Sequence, residues 1–282
     1  MSRKIISIFS FIVFSAFVIQ AENGHLLWLR VKAANPVNVV CSKKSKTLSI
    51  AVQELQQGWQ GNTNEEMKLI VKPDKAIKGD GFRIGKNSIQ ANTDIGILYG
   101  VYELLRRQQT GQQIREEVCT PSYERRILNH WDNLDGTIER GYAGRSIFWR
   151  KGKDSLNVMD ADRQLWQEYA RANASIGING TVLNNVNASP LILTGDYLER
   201  TKAIADVLRP YGIKTYLSIN FASPQVIGGL KTADPLNTEV ILWWKSKIKE
   251  IYDLIPDFGG FLVKANSEGQ PGPQDFGRTH AD

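Results

Sequence analysis

The sequence predicts an α/β protein in two parts, a small α/β unit followed by the first half of a (β/α)8 TIM barrel. Three observations carry this. From Tyr123 onward, short apolar runs alternate with amphipathic stretches of helical period, as parallel strands do when helices cover them. Each of the four strand-like runs ends in a polar or aromatic cluster, and a barrel places its chemistry at the carboxyl ends of its strands. Those four strands occupy about 160 residues, against roughly 250 for a typical closed barrel, so half a barrel is expected.

Residues 1–21 read as an export signal. Arg3 and Lys4 precede an apolar run from Ile5 to Ile19, and Ala21 is a small residue suited to cleavage before Glu22. The run falls short of the ~20 apolar residues of a comfortable membrane span, although Ile19 is a poor residue two places before Ala21 and leaves an uncleaved anchor open. The expected location is secreted or periplasmic, with no membrane contact once the signal is removed.

Residues 22–118 form the first predicted domain, in the order strand, helix, strand, strand, helix. The segments are LLWLRVKA, KTLSIAVQELQQGW, KLIVKP, GFRIGKNSIQA and DIGILYGVYELLRRQQ. In the last helix Ile97, Val101, Leu104 and Leu105 recur at helical spacing, Asp94 offers a cap and Gly111 follows the end. QQTGQQIREE, from Gln108 to Glu117, reads as the linker, and Pro121 marks entry to the next unit.

Residues 119–282 form the second predicted domain, the truncated barrel. ERRILNHW, TVLNNV, KTYLSIN and GGFLVKA are its strands; DRQLWQEYARANAS, DYLERTKAIADVLRPYG and EVILWWKSKIKEIYDLI are its helices. The strand-end clusters are Trp131, Asp132 and Asn133; Asn184, Asn185 and Asn187; Asn220, Ser223 and Gln225; and Lys264, Asn266, Ser267 and Glu268. Lys264, Asn266 and Glu268, two residues apart, would share one side of an extended segment.

Composition excludes several classes. With 42% hydrophobic residues and 9% aromatics, 282 residues can bury a sizeable core. The net charge of +6 comes from Lys and Arg spread among Asp and Glu, with no basic run interleaved with aromatics, so no nucleic-acid partner is expected. Two cysteines, Cys41 and Cys119, make no disulfide framework; free, bridged and simply buried states stay open. His25, His130 and His280 are too scattered for a metal site, and the glycines of GGFLVKAN precede a strand instead of following it. No cofactor or metal is expected.

The long strings RILNHWDNLDGTIERGYAGRSIF (Arg126 to Phe148), GINGTVLNNVNA (Gly177 to Ala188) and GGFLVKANSEGQPGPQDFGRTHAD (Gly259 to Asp282) resemble glycoside hydrolase family 67, the α-glucuronidases. IGILYGVYELLR resembles the small α/β domain that precedes the barrel there and in β-hexosaminidases. The resemblance implies an inverting hydrolase that releases (4-O-methyl)glucuronic acid from xylan-derived oligosaccharides. It implies a glucuronoxylan oligosaccharide as partner, and leaves open a homodimer formed through regions outside these residues.

For the site, the resemblance implies Glu268 as general acid, Lys264 as a ligand of the uronic acid and Val186 as a pocket-lining residue. It places the general-base carboxylates on later strands, so the chain as written is expected to be catalytically incomplete. Trp131, Asp132 and Asn266 complete the expected substrate-binding set, Trp131 offering an aromatic face to a sugar ring. The residues alone leave blander readings open. Glu268 could accept loop hydrogen bonds, Lys264 could pair with a structural carboxylate, and Trp131 and Val186 could simply pack. Asp135, Glu139 and Arg140 could form a second carboxylate set, or a loop network of charge pairs, which is the preferred reading. Two other functions stay open: a catalytically inactive carbohydrate-binding fragment, and a hexosaminidase-like glycosidase, which would want an adjacent acidic pair at a strand end.

Overall fold

The computed structural model describes residues 26–141, 144–150 and 156–282. The predicted export signal lies outside the described residues. Among the described residues no helix is long and apolar enough to cross a membrane.

The first unit contains β1 (Val37–Cys41), α1 (Lys46–Gly58), β2 (Glu65–Val71), β3 (Phe82–Gly85), β4 (Ser88–Ala91), α2 (Asp94–Gln109) and β5 (Glu117–Cys119). Its sheet has the order β1-β2-β4-β3-β5, with β1, β2 and β4 parallel and β3 antiparallel to both its neighbours. Helix α1 starts where the Ser45 hydroxyl accepts the Leu48 N–H at 3.1 Å, and it buries Leu48, Ala51 and Leu55 on one face. Helix α2 is capped by Thr93 and not by the predicted Asp94: the Thr93 hydroxyl accepts the Gly96 N–H at 3.0 Å. Asp94, now the first helical residue, pairs with Lys43 at 2.9 Å near the positive helix end.

Three sequence expectations change here. LLWLRVKA is not a strand. Its core, Leu27–Arg30, is a 3₁₀ turn entered through a left-handed Leu27, and the amides of the following Ala33 and Ala34 donate to Gln57 and Trp59 carbonyls at the end of α1. Its apolar residues serve to bury Leu29 and to lean Trp28 edge-on against Tyr102, and it pairs with no described strand. The true first strand, β1, is a short edge strand. GFRIGKNSIQA holds two strands, β3 and β4, joined by Lys86 and Asn87, and the linker's final residue begins β5.

The second unit contains β6 (Ile127–Asn129), α3 (Asp160–Ala174), β7 (Gly180–Val182), α4 (Gly195–Leu208), β8 (Lys214–Ile219), α5 (Ser223–Val226), α6 (Thr238–Leu254) and β9 (Gly260–Val263). Its four strands are all parallel, in the order β6-β7-β8-β9. The strands and long helices lie where the apolar periodicity put them. The short α5 follows the strand-end residue Asn220 and was not anticipated.

One continuous apolar core runs through both units. Helix α2 is buried along most of its length, packed on its own sheet and beside α1, with the turn Arg209–Tyr211 of the second unit also against it. At that contact Gly212, at φ 75°, lies against Ile95, where an added Cβ would come within 2.7 Å of the isoleucine side chain. Polar clamps reinforce it: Thr47 Oγ1 donates to the Pro210 carbonyl at 2.8 Å, and Arg126 pairs with Asp80 at 3.1 Å. Cys41 and Cys119 are free, partly buried thiols.

Candidate active site

The four strand-end clusters meet at the carboxyl edge of the parallel sheet, and neutral amides tie them together. Where β7 ends, Asn184 behaves as an extra ladder rung: its Nδ2 donates to the Ser218 carbonyl and its Oδ1 accepts the Ser218 N–H, both at 2.9 Å. The next residue, Asn185, is 2% exposed and joins two loops. Its N–H donates to the Asp132 carbonyl at 2.8 Å, and its Nδ2 donates to Asn133 Oδ1 at 2.8 Å and to Glu139 Oε2 at 2.6 Å. Its Oδ1 accepts the Asn187 N–H at 3.0 Å.

The loop after β6 folds back on itself. Asp132 bridges Ile138, and the Glu139 N–H donates to the Trp131 carbonyl at 2.9 Å. Trp131 is thereby held 39% exposed while Asp132 is buried. Arg140, in a left-handed backbone conformation, lays its guanidinium over the Trp131 ring, 5.6 Å from the centroid. The polar and charged groups of this loop also find neutral and aromatic partners. Glu139 is satisfied by the neutral Asn185, Asp135 Oδ1 accepts from Thr137 N and Oγ1 at 3.0 and 2.6 Å, and Arg140 turns to the indole.

After β9, Lys264 and Glu268 form an ion pair, as their spacing suggested, but the segment is not extended. Asn266 and Glu268 both have left-handed backbone conformations, so the chain turns and brings residue 268 back to residue 264. Asn266 is exposed on this turn and joins the ring closure through its N–H, which donates to the Pro271 carbonyl at 3.4 Å. Lys264 also donates to Asn187 Oδ1 at 2.8 Å, which fixes the ammonium against the loop after β7. Val186 stands beside Asn187, half-buried. The loop after β8 joins the group through Asn220, whose Nδ2 donates to Gln270 Oε1 at 3.2 Å.

The charges that act most strongly on Glu268 are cationic. The hydrogen bond and charge of Lys264, with a further contribution from Arg140, hold Glu268 below the usual carboxylate range. Behind the site, His130 Nε2 lies 2.8 Å from the Tyr169 hydroxyl, which lies 2.9 Å from Thr181 Oγ1. Burial pushes the His130 imidazole below its ordinary value, against the opposing pull of Asp132, and pushes Tyr169 up to about 12. Among the described residues no group of three or more His, Cys, Asp or Glu is placed to hold a metal ion.

Of the expected site residues, Lys264 and Glu268 touch, Trp131 lies under Arg140, Asp132 is buried and Val186 is half-buried beside Asn187. Asn185, Asn187 and Arg140, which the sequence marks only as members of a strand-end cluster and of a charged loop, hold these residues in place.

The chain matches the Glycosyl hydrolase family 67 middle domain over residues 105–282. It is 38% identical to probable alpha-glucuronidase A of Aspergillus terreus over 303 residues, covering 93% of this chain and 35% of that protein. It is 46% identical to alpha-glucuronidase A of Emericella nidulans over 200 residues, covering 69% of this chain and 23% of that protein. The chain thus spans about a third of the length of the first of these curated relatives or less. Among solved structures, a GH138 enzyme targeting pectin rhamnogalacturonan II superposes with a TM-score of 0.55 at 17% identity, covering 87% of this chain and 34% of that one, a likeness of fold alone. With its strand-end loops, their sequence strings and the matched middle domain in agreement, the chain belongs to glycoside hydrolase family 67.

Proposed function

We propose that this chain supplies the acid side of an inverting α-glucuronidase that releases (4-O-methyl)glucuronic acid from xylan-derived oligosaccharides. In this reading residues 22–118 are a leading α/β domain and residues 119–282 are the first half of a (β/α)8 catalytic barrel. Export to the periplasm or the medium fits a polymeric substrate. The observation that carries the reading is the Lys264–Glu268 contact at the carboxyl edge of the parallel sheet, beside the half-exposed Trp131. A uronic acid needs a cation next to the group that protonates its leaving oxygen, and this edge offers both.

Glu268 would donate the proton to the glycosidic oxygen. Lys264 would pair with the sugar carboxylate, Trp131 would pack on the ring, and Asp132, Val186 and Asn266 would shape the pocket around it. Inversion requires a second carboxylate about 6.5 to 9.5 Å away to activate water. Four strands cannot close a barrel, so we assign that carboxylate to strands outside these 282 residues.

The test is to incubate aldouronic acids with the longest protein that contains this chain, and with residues 22–282 alone. The expected product from the former is free 4-O-methylglucuronic acid, of β configuration at first formation by NMR. Release of N-acetylglucosamine from chito-oligosaccharides instead, or no uronic acid at all, would overturn the proposal. Comparable turnover by residues 22–282 would overturn the assignment of the second carboxylate.

A further inference from the structure

A group that donates a proton must first hold one. Glu268 sits against the Lys264 ammonium. The charged groups that act on it, Lys264 on its own loop and Arg140 from the loop after β6, are both cationic. Asn187, from the loop after β7, is neutral and reaches it through Lys264. This surrounding favours the ionised carboxylate, which has no proton to give.

The two partners are unequally held. The Lys264 side chain is 14% exposed and its ammonium is fixed by Asn187, whereas the Glu268 side chain is 72% exposed. An anion arriving at this edge meets a cation that stays and a carboxylate that can leave. Lysine offers three N–H donors, so exchange of one carboxylate for another leaves the Asn187 bond intact.

We infer that Lys264 is shared between Glu268 and the carboxylate of the incoming sugar, so that a uronate displaces Glu268 and lets it take a proton from solvent. The inference rests on the proposed roles of Glu268 and Lys264 and adds a basis for selectivity. A neutral hexoside has the same ring but no anion to compete for Lys264, so it leaves Glu268 ionised. Recognition of the acid group and arming of the proton donor are then one event.

The experiment is a carbon-detected NMR titration of the Glu268 carboxyl in the full chain, assigned with Glu268→Gln. It is run alone and with saturating methyl α-D-glucuronide or methyl α-D-glucoside. Glucuronide should raise the Glu268 titration midpoint and glucoside should leave it in place. Glucuronide that binds without moving the midpoint overturns the inference and leaves the proposed uronate site standing; failure of glucuronide to bind overturns that site and the inference together. In Lys264→Met the midpoint should already be high and glucuronide should add nothing. A rise as large as in the unaltered chain would mean direct repulsion between the two carboxylates and would overturn the sharing of Lys264. Glu268→Gln removes the competitor, so glucuronide affinity should rise about threefold to fivefold, in the range of an exposed ion pair. Equal or weaker affinity overturns the inference.

Discussion

Arg171 of α3 reaches into the first unit and grips Glu54 of α1 with both ends of its guanidinium, Nε to Oε1 at 2.5 Å and Nη2 to Oε2 at 2.8 Å. The Glu54 side chain is 7% exposed, so this fork joins the two units inside the shared core. Arg171→Ala should therefore lower unfolding free energy by about 3 kcal/mol, because it strands a buried carboxylate. Replacing both partners with Met and Leu should cost much less, since no charge is left unpaired. Urea unfolding of the two variants checks this; equal losses would show that the pair matters only as packing.

His130 gives stability a pH dependence of definite sign. Burial pushes its folded value below the ordinary 6.5, so between the two values the unfolded chain binds more protons than the folded one. The contribution is fully present above the unfolded value and is lost as pH falls through the folded one. Thermal unfolding should show stability falling as pH drops below the ordinary histidine range, a fall that His130→Gln reduces. A variant with the unaltered pH slope would assign the fall to other groups.

Loss of the proton donor should show a leaving-group signature. In the longest protein that contains this chain, Glu268→Ala should lower turnover of aldouronic acids by about a hundredfold or more, the range for a general acid. Glycosides with a very good leaving group need little protonation and should lose much less. Equal losses on both substrates would remove Glu268 from the acid role.

Legibility in the sequence followed the range of the interactions. β6 to β9 and the long helices between them were readable because each announces itself within a few residues: an apolar run, then a cap and a 3.6-residue period. LLWLRVKA looks like a strand because an apolar run records only that side chains can be buried, and Leu29 is buried in the core just as a strand residue would be. The association of Lys264 with Glu268 was legible, but by the wrong geometry. Two left-handed residues, Asn266 and Glu268, bring the pair together; asparagine favours that conformation but glutamate does not, so local propensity points to only one of them. Arg140 over Trp131 spans a folded loop, and its neighbours Asp135 and Glu139 made a charge network look more natural than stacking on an indole.

The same loops give Asn185 an outsized role for a neutral residue. It is the one side chain that bonds Asn133 and Glu139 in the loop after β6 and Asn187 in its own loop, and Asn187 in turn holds Lys264. Asn185→Ala removes a buried donor and acceptor together and leaves the Glu139 carboxylate without the amide that faces it, a change worth about 2 kcal/mol of stability. Binding should suffer as well as folding, and selectively. With the Asn187 anchor loosened, Lys264 no longer stands in a fixed place, and methyl α-D-glucuronide affinity should fall about tenfold while methyl α-D-glucoside affinity changes little. Asn185→Asp keeps the acceptor for Asn187 but sets a second carboxylate against Glu139, so it should be less stable than the parent and retain more glucuronide affinity than the alanine variant. Calorimetric titration of both variants, beside their melting curves, separates the outcomes: a parallel loss of glucuronide and glucoside binding would reduce Asn185 to a packing residue.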